Sequence, residues 1–141
     1  MAIIGLILGM SVPALSHMAR RLRLKTATRE VIGLVSLARS LAISSHTDYA
    51  VVVDSERGEI QVVNLATAES LERMVRLPQQ ITAAVQVGGA PAPESRLVFR
   101  PTGALGGRTT TIILADEEHQ RALTVTAATG AVTIGDLDGR R

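Results

Sequence analysis

Apolar and polar positions divide the first 46 residues into two stretches with different surfaces. Residues 1–15 (MAIIGLILGMSVPAL) are apolar nearly all the way round and carry no charged side chain. From Leu24 the apolar positions fall into a line: Leu24, Ala27/Thr28, Val31, Leu34/Val35, Ala38, Leu41/Ala42 and Ser45. Arg29, Glu30, Ser36, Arg39 and Ser40 lie off it. Steps of three and four put such a line on one face of a helix. The pattern predicts one long helix over 1–46, with an apolar part at 1–16 and an amphipathic part at 24–46. A β-rich globular domain is expected over 47–141.

Past Asp48 the period shortens. Residues 49–54 (YAVVVD) and 59–64 (EIQVVN) are β-branched runs separated by Ser55-Glu56-Arg57-Gly58, where Gly58 supplies the positive φ of a hairpin turn. Residues 66–71 are ambiguous, 72–77 (ERMVRL) alternate weakly like an edge strand, and Pro78 stops it. Further strands are expected at 81–87, 96–100 and 109–115, with a loop at 88–93 (GGAPAP), a turn at Pro101-Thr102-Gly103, and turn glycines Gly106 and Gly107. After a polar turn at 116–119, segments 121–127 and 131–134 form a last hairpin, followed by a charged tail, 135–141. A long helix followed by about seven short strands is an α+β arrangement, a long N-terminal helix packed on antiparallel β-sheet. No internal repeat is visible.

Composition narrows this picture. At 141 residues the chain holds one domain plus the helix. Apolar residues make up 46%, but Phe99 and Tyr49 are the only aromatics, so the core must be built from Val, Ile, Leu and Ala. The net charge of +2 is small for a general nucleic-acid binder. Absence of cysteine excludes disulfides and thiolate metal sites.

The apolar start is shorter than the ~20 residues of a lipid span. It also lacks the basic start and cleavage site of a secretory signal. Arg20, Arg21, Arg23 and Lys25 follow it, and by the positive-inside rule they would face the cytoplasm. Three readings stay open: a span whose beginning lies outside this chain, a membrane-surface helix, and a buried core helix.

Candidate chemistry is thin. Ser45, His46 and Asp48 are catalytic residue types, but neighbours in sequence point in different directions and a nucleophile–base pair needs convergence; a polar helix end explains them. His17, His46 and His119 have no metal-ligand spacing. Asp116-Glu117-Glu118 and Asp136-x-Asp138 fall short of a calcium loop and read as solvated turns. Gly103, Gly106 and Gly107 lack the Lys-Ser/Thr of a phosphate loop. No catalytic site, metal site or cofactor is expected. Two basic features remain, the 20–29 cluster and Arg140-Arg141, which read as solvation and lipid-headgroup contacts unless several arginines (Arg100 and Arg108 among them) converge on phosphate.

These pieces together resemble a known family. Residues 1–15, including Pro13, are similar to the later part of a type IV pilin-like N-terminal segment. Arg29–Ser45 (REVIGLVSLARSLAISS) followed by the 49–54 strand resembles the GspH/FimT family of minor pseudopilins. So do Val98-Phe99-Arg100-Pro101-Thr102-Gly103 with Gly106-Gly107, and the closing 123–134 segment (LTVTAATGAVTI). The resemblance covers almost the whole chain and implies a pilin-like fold. It implies a non-enzymatic subunit at or near the tip of a type II secretion pseudopilus, single-pass in the inner membrane with its domain in the periplasm. Its partners would be other pseudopilins through the N-terminal helix, the inner membrane, and exported protein.

On this resemblance Ile3, Ile4, Leu6, Ile7, Leu8, Val12, Pro13 and Leu15 make the membrane and assembly contacts. Leu24, Val31, Leu34, Val35, Ala38 and Leu41 form the packing stripe. Phe99, Pro101, Gly103 and Gly130 are family-like core and turn positions, with Phe99 expected against the helix near residues 31–41. The family's basic leader, cleaved glycine and assembly glutamate have no counterpart at the start of this chain, so the expectation is that the apolar segment is N-terminally incomplete. The alternative is a pilus minor pilin of the FimT type that binds DNA for uptake, with Arg140 and Arg141 as contacts. Asp136 and Asp138 lie close to that arginine pair in sequence and would cancel its field, so nucleic acid is not expected as a partner.

Overall fold

The apolar line of the amphipathic helix becomes a continuous buried seam. The computed structural model describes residues 2–92 and 96–136, with the backbone alone for residues 2–14 and Glu72. Helix α1 (Ala2–Ser45) is unbroken for 44 residues, roughly 66 Å at 1.5 Å per residue. Leu24, Ala27, Val31, Leu34, Val35, Ala38 and Ala42 are at most 4% exposed. Thr28 is buried in the same seam, and its hydroxyl donates to the Leu24 carbonyl (2.7 Å), so its polar atom is satisfied within the helix. His46 takes a left-handed φ of 51° and ends the helix.

Nine strands follow among the described residues: β1 (Tyr49–Asp54), β2 (Glu59–Asn64), β3 (Ser70–Arg76), β4 (Thr82–Val87), β5 (Ala90–Pro91), β6 (Arg96–Phe99), β7 (Thr110–Ala115), β8 (Gln120–Val125) and β9 (Val132–Asp136). They form two antiparallel sheets, ordered β3-β2-β1-β6 and β5-β4-β7-β8-β9. In the β1–β2 turn Gly58 sits at φ 65°, as its sequence predicts, and Asp54 Oδ1 also accepts from the amides of Glu56 and Arg57 (3.1 Å each).

Both sheets turn one face to α1. From the first come Tyr49, Val51, Val53, Ile60, Val62, Leu97 and Phe99; from the second, Ala83, Val85, Ile112, Leu114, Leu123 and Val125. All are in one core cluster with the helix seam. Several details differ from the sequence pattern; β8, expected over 121–127, runs from Gln120 to Val125. β3 begins at Ser70, inside the ambiguous 66–71 stretch, because a register shift between Gln61 and Val63 lets Ser70 pair with Val63. The expected 88–93 loop contains β5, where Ala90 and Pro91 pair back onto Val87 and Gln86; Pro93 lies outside the described residues. β9 runs on to Asp136, beyond the expected end at 134.

Phe99 is fully buried and is the largest such side chain. Phe99→Ala should therefore destabilise the domain by about 3–5 kcal/mol, through lost transfer energy and the cavity left behind. Urea unfolding followed by circular dichroism checks this; a loss below about 1 kcal/mol would contradict its place in the core.

Candidate assembly interface

Sequence gives α1 two parts, and burial divides it at Leu24. Residues 15–23 are all exposed, Leu15 by 66% and Met18 by 62%, whereas Leu24 is 2% exposed. The helix therefore enters the domain at Leu24 and projects from it before that point. Ile3, Ile4, Leu6, Ile7, Leu8, Val12 and Pro13 lie on the helical backbone, but their side chains are outside the described residues. Of the packing stripe, Leu24, Val31, Leu34, Val35 and Ala38 are buried and Leu41 is half-buried against the core. Arg140 and Arg141 lie outside the described residues.

One polar contact steadies the base of the projection. The β7–β8 turn meets α1 there: His17 Nδ1 lies 3.2 Å from Glu118 Oε2, and the Arg20 guanidinium lies 3.4 Å from Glu118 and 3.8 Å from Glu117. The pairs are well exposed, so each is worth less than about 1 kcal/mol. The turn itself is organised by Asp116, whose Oδ1 accepts from the amides of Glu118 (2.8 Å) and His119 (2.6 Å). Burial pushes the Asp116 carboxyl up. Those two amide donors, with the nearby His119 and Arg20, outweigh it and hold the pKa below its ordinary 3.8. Nothing in the sequence links residues 17–20 to 116–118, so this contact was not legible there; the acidic run read as solvent-facing.

A second junction ties α1 to both sheets. Arg39, off the apolar line, lays its side chain across the domain and donates from Nε to the Gly103 carbonyl (3.2 Å). Gly103 (φ 85°) and Gly130 (φ 67°) are buried and back to back: a Cβ on Gly130 would collide with the Gly103 carbonyl oxygen and press on the Arg39 side chain. The chain between them crosses from sheet to sheet. The Gly106 amide donates to Val98 of β6 (2.7 Å), and the Leu105 amide to Ala127 beyond β8 (3.0 Å). Pro101 is half-buried at the start of this segment. The two glycines that the resemblance singled out are thus one contact, and Arg39 is the partner that sequence alone did not connect to them.

The remaining candidates stay apart. His46 and Asp48 are exposed at the helix end, where Thr47 Oγ1 donates to the Ser45 carbonyl (3.0 Å). Among the described residues no group of three or more His, Asp or Glu side chains is placed to hold a metal ion. Arg20 is neutralised by Glu117 and Glu118, Arg76 by Glu59 (3.1 Å) and Arg121 by Asp136 (3.1 Å). Asp136 thus already has a partner in Arg121.

The model of one protein family, described as type II transport protein GspH, matches residues 27–130. Among solved structures, the chain is similar to the minor pseudopilin EpsH from the type 2 secretion system of Vibrio cholerae. That match has TM-score 0.66 and 14% identity, covering 84% of this chain and 99% of EpsH. It is also similar to the type IV minor pilin FimU of Pseudomonas aeruginosa strain PAO1, with TM-score 0.65 and 18% identity, covering 84% of this chain and 92% of FimU. The structural superpositions show a shared pilin-like fold. Curated protein sequences contain no match to this chain.

Two measurements probe these junctions. Gly130→Ala combines a left-handed backbone with a collision and should cost above about 2 kcal/mol. Gly89→Ala, at φ 86° in open space, should lose only the backbone part, about 1–2 kcal/mol. Equal losses in urea melts would show that the Gly103–Gly130 approach is not costly. For Asp116, a folded pKa below the unfolded 3.8 means that its charge stabilises above pH 3.8 and ceases to as pH falls through the lower folded value. The stability gap between wild type and Asp116→Asn should therefore be full at neutral pH and narrow below pH 3.8; a gap constant with pH would contradict this.

Proposed function

The chain belongs to the GspH family, and from that membership we propose that it is a minor pseudopilin, a non-enzymatic structural subunit at or near the tip of a type II secretion pseudopilus that acts in protein export. The observation that supports this most is the division of α1: its lower half is consumed by the domain's core, and its upper part stands clear with residues 15–23 exposed. A helix so placed is available to neighbouring helices and to a membrane. In this reading Ile3, Ile4, Leu6, Ile7, Leu8, Val12, Pro13 and Leu15 meet other pseudopilins and the inner membrane. The domain lies in the periplasm and presents its loops to other minor subunits or to exported protein. Among the described residues no helix is long and apolar enough to cross a membrane. In this proposal the 1–16 stretch is the membrane-contacting part of a single-pass inner-membrane subunit.

The mechanism is mechanical. A seam of fully buried aliphatic residues makes the domain and the lower helix move as one body. Force or displacement applied to the projecting part is therefore delivered to the domain without a hinge inside α1.

Deleting the gene should block release of exported proteins while DNA uptake is unaffected. The chain has no cysteine, so Leu15→Cys gives a single crosslinking site, expected to trap another pseudopilin in the membrane fraction. Normal export with lost DNA uptake, reproduced by Arg140→Ala/Arg141→Ala, would overturn the secretion role in favour of a DNA-binding pilus subunit.

A further inference from the structure

One side of α1 is left open inside the domain's own outline. Ile134 of β9 pairs opposite Leu123 of β8, and directly opposed residues share a sheet face. Leu123 is fully buried on the face turned to α1, yet Ile134 is 52% exposed. The helix lies against β7 and β8, and the inner face of β9 overhangs beside it. Two clefts open along this overhang. One, of about 440 Å³, lies between Met18, Leu22 and Lys25 of α1 and Arg121 and Asp136 of the sheet. The other, of about 380 Å³, lies between Ile32 and Ile43 of α1 and Gly130 and Val132. Met18, Leu22, Lys25, Arg29 and Ile32 are spaced four and three apart, so they form one line joining the two clefts.

The chemistry of this groove is apolar and basic. Met18 (62% exposed), Leu22 (52%) and Ile43 (43%) offer uncovered aliphatic surface along it. Arg21, Lys25 and Arg29 are exposed and take part in none of the ion pairs among the described residues. Asp136 is the one acid among the described residues lining the two clefts, and Arg121 already holds it at 3.1 Å. The line from Met18 to Ile43 is roughly 37 Å long, enough for about seven helical turns.

We propose that this groove seats an acidic amphipathic helix of a partner protein. Its apolar stripe covers Leu22, Ile32 and Ile134, and its carboxylates face Arg21, Lys25 and Arg29. Nucleic acid would satisfy the cations but leave the aliphatic line uncovered. A flat lipid surface would reach only the N-terminal end of a line that runs down the domain to Ile43. The inference goes beyond the assembly role above and does not depend on it: the groove begins on the exposed residues Met18, Arg21 and Leu22 and runs from Lys25 to Ile43 along the part of α1 inside the domain, and it is the same in a secretion or a pilus subunit.

The test uses the full chain and two labelled synthetic peptides of about seven turns, each with a leucine stripe, one flanked by glutamates and the other by lysines. Fluorescence anisotropy at about 0.15 M salt should show binding of the glutamate peptide and none of the lysine peptide. Lys25→Glu/Arg29→Glu should weaken the glutamate peptide by about tenfold or more and confer binding of the lysine peptide. Ile134→Ser should weaken it as well, with thermal melts confirming that these exposed substitutions leave the fold intact. Equal binding of both peptides, or binding indifferent to these substitutions, would overturn the proposal. So would failure to bind the glutamate peptide alongside substitution-sensitive binding of duplex DNA or of anionic phosphatidylglycerol vesicles.

Discussion

One helical seam has to serve as the core of two sheets. The sheets meet each other where β1 approaches β4, whereas α1 touches β1, β2, β3 and β6 on one side and β7 and β8 on the other. Without α1 neither inner face would be covered. Each valine or leucine side chain buried in the seam is worth about 1.5–3 kcal/mol. The exposed pairs of His17 and Arg20 with the β7–β8 turn are each worth less than about 1 kcal/mol. The seam therefore fixes where the helix lies, and the acidic turn only adjusts the angle at which it leaves.

Covering two sheets with one helix creates a second requirement: the chain must pass between the sheets close to the helix without wasting volume. The segment after Phe99 does this. Gly103 and Gly130 bring two turns together at backbone distance, and Arg39 closes the gap with a charged hydrogen bond to the Gly103 carbonyl. An arginine suits this place because its aliphatic stem packs on the glycines while its guanidinium end reaches the surface. The single phenylalanine sits immediately before this crossing and fills space that shorter aliphatic side chains would leave empty.

Much of this was legible in the sequence, for identifiable reasons. The helix seam from Leu24 to Ala42 was legible because a 3.6-residue period cannot be produced by strands, whereas Ser45, expected to end the line, is exposed. The β1–β2 hairpin was read with its ends because Gly58 marks the turn between two β-branched runs. Local alternation does not say which strands share a sheet, so the division into two sheets was not visible. Phe99, Gly103 and Gly130 were identified by resemblance, but their common contact with Arg39 joins residues far apart in the chain, and no local pattern encodes it. The same limit hid the pairing of residues 17–20 with 116–118. Short runs of opposite charge occur at many positions, and only the fold selects which of them meet.

Seen from the helix axis, the side chains of α1 thus divide by environment. The line through Val31 is committed to the domain, and its N-terminal continuation at His17 and Arg20 is steadied by an acidic turn. The side bearing Lys25, Arg29 and Ile32 faces the overhang of β9. Had β9 been covered by α1, Ile134 would be as buried as Leu123, to which it is paired. Its exposure follows from where the helix lies: on the second sheet α1 rests against β7 and β8, so β9 reaches the core at Val132 while Ile134 stays open. The open groove is therefore a consequence of packing a five-stranded sheet against one helix, and the charges along it determine which surfaces can close it.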